Sequence, residues 1–406
     1  MSMDIQKKWD TLKNCVKLVQ SYCVRCVNLL PYWVTGLSLP RGYYEDSEEW
    51  FKKAQRNSGE DMVVLDEPTM LKRELPKGLP LFFGKYFSNR LCASSSPRRV
   101  LTLMGARVFS ERGIIITHDN KIIGDVTIAY AKKPKEHPVF RRLRFPPIAH
   151  LDGTCGIAYS PAPGNYYHWV YEIVPQLMML NKLLVNGEID VILVSCDKDF
   201  QRQWLEILQI DQEKVRGLDR ATHLCIDKLV VPSMPSRNAE VAPWTFKDLK
   251  LAVEKIPEAD VRKRIYIVRE SGNRALKFKG EGKQDLLDKY GFESFVLETM
   301  SVKEQIQMFR SAEVILASHG AGLTGICFCP KNTKIIEILA PKFLNVCYWR
   351  IAGLMSLPYY YLLAEGVNNL DDIPRPVAGK ADLKIGLDNL EELLKMAHID
   401  PVKKRM

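Results

Sequence analysis

The sequence predicts an α/β protein built from two consecutive units of alternating strands and helices, preceded by a helical appendage. Short apolar runs alternate with amphipathic segments from about residue 153 to 363, the pattern of parallel sheets covered by helices. The chain has 406 residues, more than a single core usually accommodates. With 46% hydrophobic and 26% charged residues, its composition excludes collagen-like, disordered and polytopic membrane classes.

The first part of the chain, residues 1–80, is predicted to be a helical and loop-like appendage. Residues 7–33 are basic, amphipathic and contain tryptophan, so they form either a helix packed on the domain or one lying on a membrane surface. Lys17 and Arg25 interrupt the apolar run of residues 16–37, which lacks a small-residue cleavage site. We therefore expect no signal peptide and no spanning helix, and a cytoplasmic protein with a peripheral membrane contact as the open alternative.

The charge balance limits the classes of partner. The chain carries 58 basic and 48 acidic residues, a net charge of +10, which suits polyanions, anionic lipid headgroups or phosphorylated substrates, or reflects only a solvated basic surface. Aromatic and basic residues are not interleaved as in nucleic-acid modules, so no nucleic-acid partner is expected. Cys23 and Cys26 form a CxxC without a second pair at zinc-finger spacing, which favours helix packing over zinc.

The first unit, predicted as an N-terminal lobe over residues 81–240, begins with β-hairpins and continues with α/β alternation. The hairpin strands are predicted at 107–116 and 121–128 around a turn at Asp119-Asn120, followed by an exposed loop at 132–147. The later elements are predicted as a helix at 166–184, a strand at 189–194, a helix at 200–208 and a strand at 228–231.

The second unit, predicted over residues 241–365, follows a linking segment at 244–257. Ser301 and Glu304 have the spacing of a helix capping box, and a C-terminal tail over 366–406 contains a last helix at 387–397. The strands are predicted at 264–268, 292–297, 313–317, 334–339 and 358–363. Ligands of such sheets bind beyond the carboxyl ends of the strands, so we expect a site in a cleft between the two units.

A glycine loop follows the predicted strand at 313–317. Gly320 and Gly322 allow close approach of the backbone to a ligand, and a helix opening at Leu323 would direct free N–H groups at an anion. The pattern fits a phosphate site, although two glycines after a buried strand also form ordinary tight turns.

Three further features carry chemistry. His168 and Glu172 are four residues apart and share one face of the predicted helix, as a general-base pair or a surface pair. Arg269 and Arg274 follow a strand, and their guanidinium groups match phosphate oxygens, although surface arginines are common there. Glu337 lies within an apolar strand and requires a partner, either a ribose hydroxyl pair or a buried salt bridge.

Together these stretches resemble the family 61 glycosyltransferases, also described as a capsular-polysaccharide-biosynthesis type domain, over roughly residues 101–363. The family's HWxxE-like helix, its strand-then-arginine segment and the strand containing Glu337 all have counterparts. The matching residues are His168, Trp169 and Glu172 for the helix, 264–269 and Arg274 for the arginine segment, and His319, Gly320, Ala321, Gly322, Leu323 and Thr324 for the HGAGLT loop.

The resemblance implies a GT-B fold and inverting transfer of a sugar from a nucleotide sugar, commonly a UDP-sugar such as UDP-xylose or UDP-N-acetylglucosamine, to a hydroxyl of a glycan or glycoconjugate. In this interpretation Glu172 is the preferred base and His168 its hydrogen-bonded partner. Arg269, Arg274, the N–H groups of residues 322–324 and His319 hold the pyrophosphate. Such a site needs no metal and no cofactor.

The sequence departs from the family pattern at two places. Gly325 stands where the family usually has Asn, and residues 278–281 replace an Asn-Glu pair, so contacts to the donor's base and sugar there are not carried over. Two alternatives stay open: a non-catalytic nucleotide- or glycan-binding member of the same fold, and a metal hydrolase that uses His168, Glu172 and His319 as ligands.

Overall fold

The computed structural model describes most of the chain from residue 39 onwards. The described residues are 19, 39–54, 59–142, 144–237, 239–257, 261–269, 276–341, 344–365 and 383–402. The predicted basic helix at 7–33, apart from residue 19, lies outside this part, as do the Cys23–Cys26 pair and Arg274. Within the described ranges no helix is both long and apolar enough to cross a membrane.

The described elements alternate between strands and helices along most of the chain. The strands are β1 (Gly42–Tyr44), β2 (Asp61–Asp66), β3 (Met70–Lys72), β4 (Lys77–Leu79), β5 (Cys92–Ser94), β6 (Arg98–Phe109), β7 (Ile114–Ile116), β8 (Lys121–Ile123), β9 (Ala149–Ile157), β10 (Val191–Val194), β11 (Val215–Gly217), β12 (His223–Pro232), β13 (Ser236–Arg237), β14 (Glu240–Val241), β15 (Lys263–Ile267), β16 (Leu276–Lys279), β17 (Phe292–Phe295), β18 (Ala312–Ser318), β19 (Lys334–Leu339), β20 (Tyr359–Leu363) and β21 (Leu383–Gly386).

The helices lie mainly between the strands of the two larger sheets. They are α1 (Ser47–Ala54), α2 (Lys85–Ser88), α3 (Tyr166–His168), a π-helix (Trp169–Ile173), α4 (Val174–Val185), α5 (Asp199–Ile207), α6 (Pro243–Ala252), α7 (Lys283–Lys289), α8 (Val302–Arg310), α9 (Cys347–Leu354) and α10 (Leu387–Met396). Short 3-10 helices are formed by Leu81–Gly84, Pro134–Glu136, Pro138–Arg141, Gln212–Lys214, Leu297–Thr299 and Ala321–Phe328.

The first sheet has seven strands and mixed pairing. Its order is β11-β10-β9-β12-β6-β2, with β7 also paired to β6. Strands β9 to β12 run parallel, whereas β6 is antiparallel to β12, β2 and β7. The run predicted as one hairpin strand at 107–116 is divided into the end of β6 and the strand β7, which pair with each other around residues 110–113. The strand predicted at 228–231 lies within the longer β12.

The second sheet has six strands, all parallel, in the order β17-β15-β18-β19-β20-β4. The five strands predicted for it are confirmed. Both faces are covered, because alternate residues of β18 pack into different apolar clusters: Ile315 packs with residues of α8, and Val314 packs with residues of α7 and α10. Parallel strands buried on both faces have this continuous apolar character. The mixed α/β class is therefore confirmed.

The segment 61–79 contributes an edge strand to each large sheet. Strand β2 pairs with β6 in the first sheet, and β4 pairs with β20 in the second. The two sheets also share one apolar core, in which Trp169 and Tyr171 of the first half pack with Leu323 and Tyr348 of the second. The two sheets are therefore held together by this shared core, and the segments that follow β9 and β18 pack against each other in it.

Three predictions of local structure were wrong. Strand β8 pairs in parallel with β1 and does not continue to residue 128 as a hairpin strand. The prediction failed because pairing with a distant segment leaves no local sequence signal. Residues 132–147 contain two 3-10 helices that bury His137 and Val139. The supposed linking segment forms α6, which starts at Pro243, a residue whose fixed φ suits the first helical position.

Candidate active site

The helix that carries His168 and Glu172 begins at the carboxyl end of β9 and changes its winding in the middle. Asn165 caps it, since the Asn165 side chain accepts a hydrogen bond of 3.0 Å from the Tyr167 N–H. The π-helix over Trp169–Ile173 includes Glu172 and precedes Pro175. Proline has no N–H and its ring collides with the carbonyl four residues earlier, so the wider turn accommodates it. Single π turns are frequent at functional sites.

The structure brings His168 and Glu172 into direct contact, as their spacing predicts. His168 Nδ1 lies 2.9 Å from Glu172 Oε1. The Glu172 side chain is 1% exposed, whereas that of His168 is 23% exposed. With Nδ1 directed at the carboxylate, Nε2 is the ring nitrogen left for a ligand. The carboxylate therefore holds the imidazole, and the imidazole is the more exposed group of the pair.

Two residues that the sequence did not single out complete this pair. The Ser160 hydroxyl donates to Glu172 Oε2 over 2.6 Å, and the Tyr130 hydroxyl lies 2.8 Å from both Glu172 Oε2 and His168 Nδ1. Tyr130 is 42% exposed overall, but desolvation of its hydroxyl, and after it the nearby Glu172 carboxylate, raise its pKa well above the usual value, so the hydroxyl keeps the proton that it donates. Tyr130 and Ser160 lie 42 and 12 residues from Glu172 in sequence, and no motif spacing connects them.

The glycine loop follows β18 as predicted, but its helix starts earlier and is of the 3-10 type. The helix begins at Ala321, not at Leu323, and the Leu323 N–H donates to the Gly320 carbonyl over 3.0 Å. In a 3-10 helix the bonding ladder starts at the third N–H. The donors predicted at residues 322–324 therefore shift to Ala321 and Gly322, whose N–H groups precede that ladder.

Gly320 makes room for Arg269. A Cβ atom on Gly320 would lie 2.3 Å from Arg269 Nη1, and the same nitrogen is 3.4 Å from the His319 carbonyl oxygen. The Arg269 guanidinium therefore lies directly against the loop, as expected for two parts of one anion site. Arg274, the second predicted arginine, is outside the described residues.

His319 and Glu337 form a buried pair below the loop. His319 Nδ1 contacts Glu337 Oε1, and the Tyr359 hydroxyl donates to Glu337 Oε2. Glu337 has no exposed surface and the His319 side chain is 5% exposed. Since both carboxylate oxygens are engaged, the buried-pair alternative describes Glu337 better than a ribose contact, and Glu337 acts on the loop through His319.

The two halves of the candidate site are joined by specific contacts. The Tyr171 hydroxyl donates to the Thr324 carbonyl over 2.6 Å, and the Tyr348 hydroxyl donates to the Gly320 carbonyl over 2.6 Å. A series of rings connects the two imidazoles: centroids are 5.1 Å apart for His168–Tyr167, 5.8 Å for Tyr167–Tyr348 and 5.4 Å for Tyr348–His319. The His168–Glu172 pair and the glycine loop are therefore fixed relative to each other.

The departure at Gly325 has a packing reason. A Cβ atom there would lie 2.1 Å from two ring atoms of Phe309, on helix α8. Gly325 is buried against this ring, so the asparagine usual in the family does not fit beside Phe309. The glycine at position 325 thus allows the loop to pack against Phe309 of helix α8. It does not lie on the side of the loop that would face a ligand.

The residues of the metal-hydrolase alternative are held by different partners. His168 contacts Glu172, whereas His319 contacts Glu337. Throughout the part of the chain that the structure describes, no group of three or more His, Cys, Asp or Glu side chains is placed to hold a metal ion.

Comparison with known proteins agrees with this geometry. Residues 166–336 match the family model described as Glycosyltransferase 61. The matched region starts at the first residue of α3 and ends within β19, so it includes the His168–Glu172 pair, Arg269 and the glycine loop. It is shorter than the 101–363 region over which the motifs show the resemblance.

Two curated plant proteins show local similarity. A Beta-1,2-xylosyltransferase of Arabidopsis thaliana is 38% identical over 65 residues, 16% of this chain and 12% of the relative. The Beta-1,2-xylosyltransferase RCN11 of Oryza sativa subsp. japonica is 32% identical over 82 residues, 18% of this chain and 15% of the relative. The alignments thus span less than a sixth of either relative. The family resemblance predicted from the motifs is confirmed: residues 166–336, which include the His168–Glu172 pair, Arg269 and the glycine loop, match the glycosyltransferase 61 family model.

Proposed function

We propose that this protein is an inverting glycosyltransferase of GT-B architecture that moves a sugar from a nucleotide sugar to a hydroxyl group of a glycan or glycoconjugate. The observation that carries the proposal is the fixed arrangement of the His168–Glu172 pair and the Arg269–glycine loop unit, joined by the Tyr171–Thr324 hydrogen bond. One half supplies a proton acceptor and the other supplies donors for a leaving diphosphate. Each half of the proposed site follows a strand of a different large sheet, β9 of the first and β18 of the second, and both sheets contain parallel strands. This supports the two-lobed GT-B interpretation.

In the donor half, Arg269, Arg274 and the N–H groups of Ala321 and Gly322 bind the diphosphate. Their charge and dipoles are directed at the oxygens on which negative charge grows as the bond to the sugar breaks. His319, oriented by Glu337, supports the loop from below. This arrangement neutralises the leaving group with fixed cationic and N–H donors, so we propose a metal-independent reaction without a cofactor.

In the acceptor half, we place the base role on His168 Nε2. The sequence favours Glu172, but the buried carboxylate is surrounded by Ser160, Tyr130 and His168, while the imidazole is the exposed member of the pair. The acceptor oxygen attacks the anomeric carbon and its proton passes to Nε2. The anomeric carbon–oxygen bond to the diphosphate breaks at the same time, and its electron pair leaves with the nucleotide. Attack from the face opposite the leaving group inverts the configuration.

The relatives named Beta-1,2-xylosyltransferase make a pentosyl donor, UDP-xylose, the first choice for a test, with UDP-N-acetylglucosamine second. A thermal-shift panel of UDP-, GDP-, CMP- and dTDP-sugars tests the class and the donor together, because a ligand that binds only the native state raises the melting temperature. We expect the largest shift with a UDP-sugar, and formation of UDP when an acceptor is added.

Gly320→Ala is the test variant for the donor site. Gly386→Ala is its matched control, because a Cβ atom on Gly386 would have its nearest neighbour at 3.7 Å. The added methyl group displaces the end of the flexible Arg269 side chain, so affinity for the UDP-sugar should fall about tenfold, the equivalent of one charge-assisted contact. A UDP-sugar shift that Gly320→Ala leaves unchanged, or binding of no nucleotide sugar at all, contradicts the proposal. Binding without transfer or hydrolysis would indicate the non-catalytic alternative.

A further inference from the structure

A cavity of about 570 Å³ lies beside the His168–Glu172 pair, on the side of the first sheet. It is lined by residues 110–114, 126–130 and 137–139 and by several charged side chains. Tyr130, whose hydroxyl contacts both His168 and Glu172, is part of its wall. None of the residues of the glycine loop lines it, so it is separate from the proposed donor site.

The charges around this cavity are unbalanced. Four basic residues line it, and one carboxylate, that of Glu111, faces them; the basic residues are Arg112, Lys132, Arg142 and Arg220. Glu111 Oε1 lies 3.9 Å from Arg112 Nε and 4.0 Å from Arg220 Nε, at the limit of an ion pair. His137, the histidine in the wall, is buried, which lowers its pKa to about 4 and leaves it neutral near pH 7.

The arginines keep their guanidinium groups available to a ligand. The Arg112 and Arg220 side chains are 56% and 94% exposed, and the Arg142 guanidinium lies 4.7 Å from the centre of the Phe109 ring, a contact that leaves its N–H edges open. Guanidinium groups bind carboxylate, sulfate and phosphate oxygens through paired N–H donors. A concave wall with this excess of cations concentrates anions near it.

We propose that this cavity binds an anionic group on the acceptor, a carboxylate or a sulfate or phosphate ester on a sugar residue next to the one whose hydroxyl reaches His168. The inference rests on the proposed glycosyltransferase function, because it takes His168 as the point at which the acceptor reacts. In this proposal the basic residues beside Tyr130, which contribute to the net charge of +10, select acidic glycans over neutral ones.

Direct binding to the full chain tests this without requiring turnover. The probes are trigalacturonate, its fully methyl-esterified form, which has the same length but no charge, and a sulfated trisaccharide. Isothermal titration at physiological ionic strength should show about tenfold tighter binding of an acidic probe than of the neutral ester, as expected for one charge-assisted contact of about 1.4 kcal/mol. Preference for trigalacturonate would identify a carboxylate as the bound group, and preference for the sulfated probe a sulfate or phosphate ester.

The double variant Arg112→Gln/Arg142→Gln should remove most of this preference. Arg141→Gln is the matched control, because Arg141 is exposed, directly precedes Arg142 and does not line the cavity. Equal affinity of the neutral and acidic probes, or an equal loss in Arg141→Gln, would overturn the proposal and indicate a solvated basic surface. The thermal shift caused by a UDP-sugar separates the two proposals. We expect the same shift in these variants as in the unmodified chain. If the unmodified chain shows no shift, that result counts against the glycosyltransferase assignment only.

Discussion

The Tyr171 hydroxyl donates a 2.6 Å hydrogen bond to the main-chain oxygen of Thr324. Tyr171 belongs to the π-helix that also contains Glu172, and Thr324 belongs to the 3-10 helix Ala321–Phe328 of the glycine loop. The two residues are 153 positions apart and both are buried. This bond therefore ties the proposed acid–base half of the site to the proposed phosphate half.

Replacing Tyr171 by phenylalanine should weaken that connection without emptying the core. The buried Thr324 carbonyl loses this donor but keeps the Cys327 Sγ contact at 3.5 Å, so the loss should be that of one hydrogen bond, about 0.5–1.5 kcal/mol of unfolding free energy. Urea unfolding measures the loss. Tyr360→Phe is the matched control, since Tyr360 is also buried in an apolar cluster and the described residues show no hydrogen bond from its hydroxyl. Equal stability of the two variants would show that the bond contributes nothing.

Substitutions in the His168–Glu172 pair distinguish the two candidate bases. Under the proposed mechanism His168→Gln removes the proton acceptor and should lower the rate of transfer about 10²–10⁴-fold, with nucleotide-sugar affinity unchanged. Glu172→Gln should be slow as well, because the imidazole loses its orienting carboxylate, and its pH–rate profile should shift.

His118→Gln is the matched control for this pair, because His118 Nδ1 lies 3.4 Å from Glu60 Oε1 at a different place in the fold. Initial rates with saturating donor and acceptor provide the measurement. Near-normal turnover of His168→Gln together with an inactive Glu172→Gln would return the base role to Glu172.

Gly325→Asn, which introduces the residue usual in the family, should destabilise this protein. The new side chain meets the Phe309 ring at 2.1 Å, and overpacking of this kind costs about 1–3 kcal/mol. Phe309→Ala creates space at the same place, so the double variant Gly325→Asn/Phe309→Ala should lose less stability than the sum of the single losses. Strict additivity in urea unfolding would contradict the packing explanation.

His137 should make stability depend on pH. Its burial lowers the pKa to about 4 from a usual value of 6.5, so between these values the unfolded chain binds a proton that the folded chain does not. Stability is therefore full above about pH 6.5 and declines as the pH falls towards 4, by up to about 3 kcal/mol.

His137→Asn keeps an oxygen that can accept the Val139 N–H bond now made to His137 Nδ1 and removes the titrating ring. Unfolding free energies at several pH values in this window should depend less on pH in His137→Asn than in the unmodified chain. His150→Gln, at an exposed histidine, should leave the dependence as it is. An unchanged slope in His137→Asn would show that another group is responsible.

The sequence predicted the second sheet well because its signals are local. Its strands β18, β19 and β20 are mostly apolar and buried, and the Ser301–Glu304 capping box is present with both hydrogen bonds. The strand β8, by contrast, was assigned to the wrong partner, and α6 was taken for a linker. For β8 the deciding contacts come from the distant β1, which a local pattern does not contain. For α6 the start signal, Pro243, was present in the sequence.

The sequence by itself determined the α/β class, the order of the strands of the second half along the chain, the His168–Glu172 contact and the family motifs, because helix periodicity, strand hydrophobicity and glycine loops act over a few residues. Only the tertiary structure decided which atoms are accessible. In the folded chain Tyr130 and Ser160 hydrogen-bond to the buried Glu172 carboxylate. Both oxygens of Glu337 are bound, by His319 and Tyr359, and Gly320 lies directly against Arg269. These relationships join residues that lie far apart in sequence, and burial in a shared core, not any local pattern, fixes them.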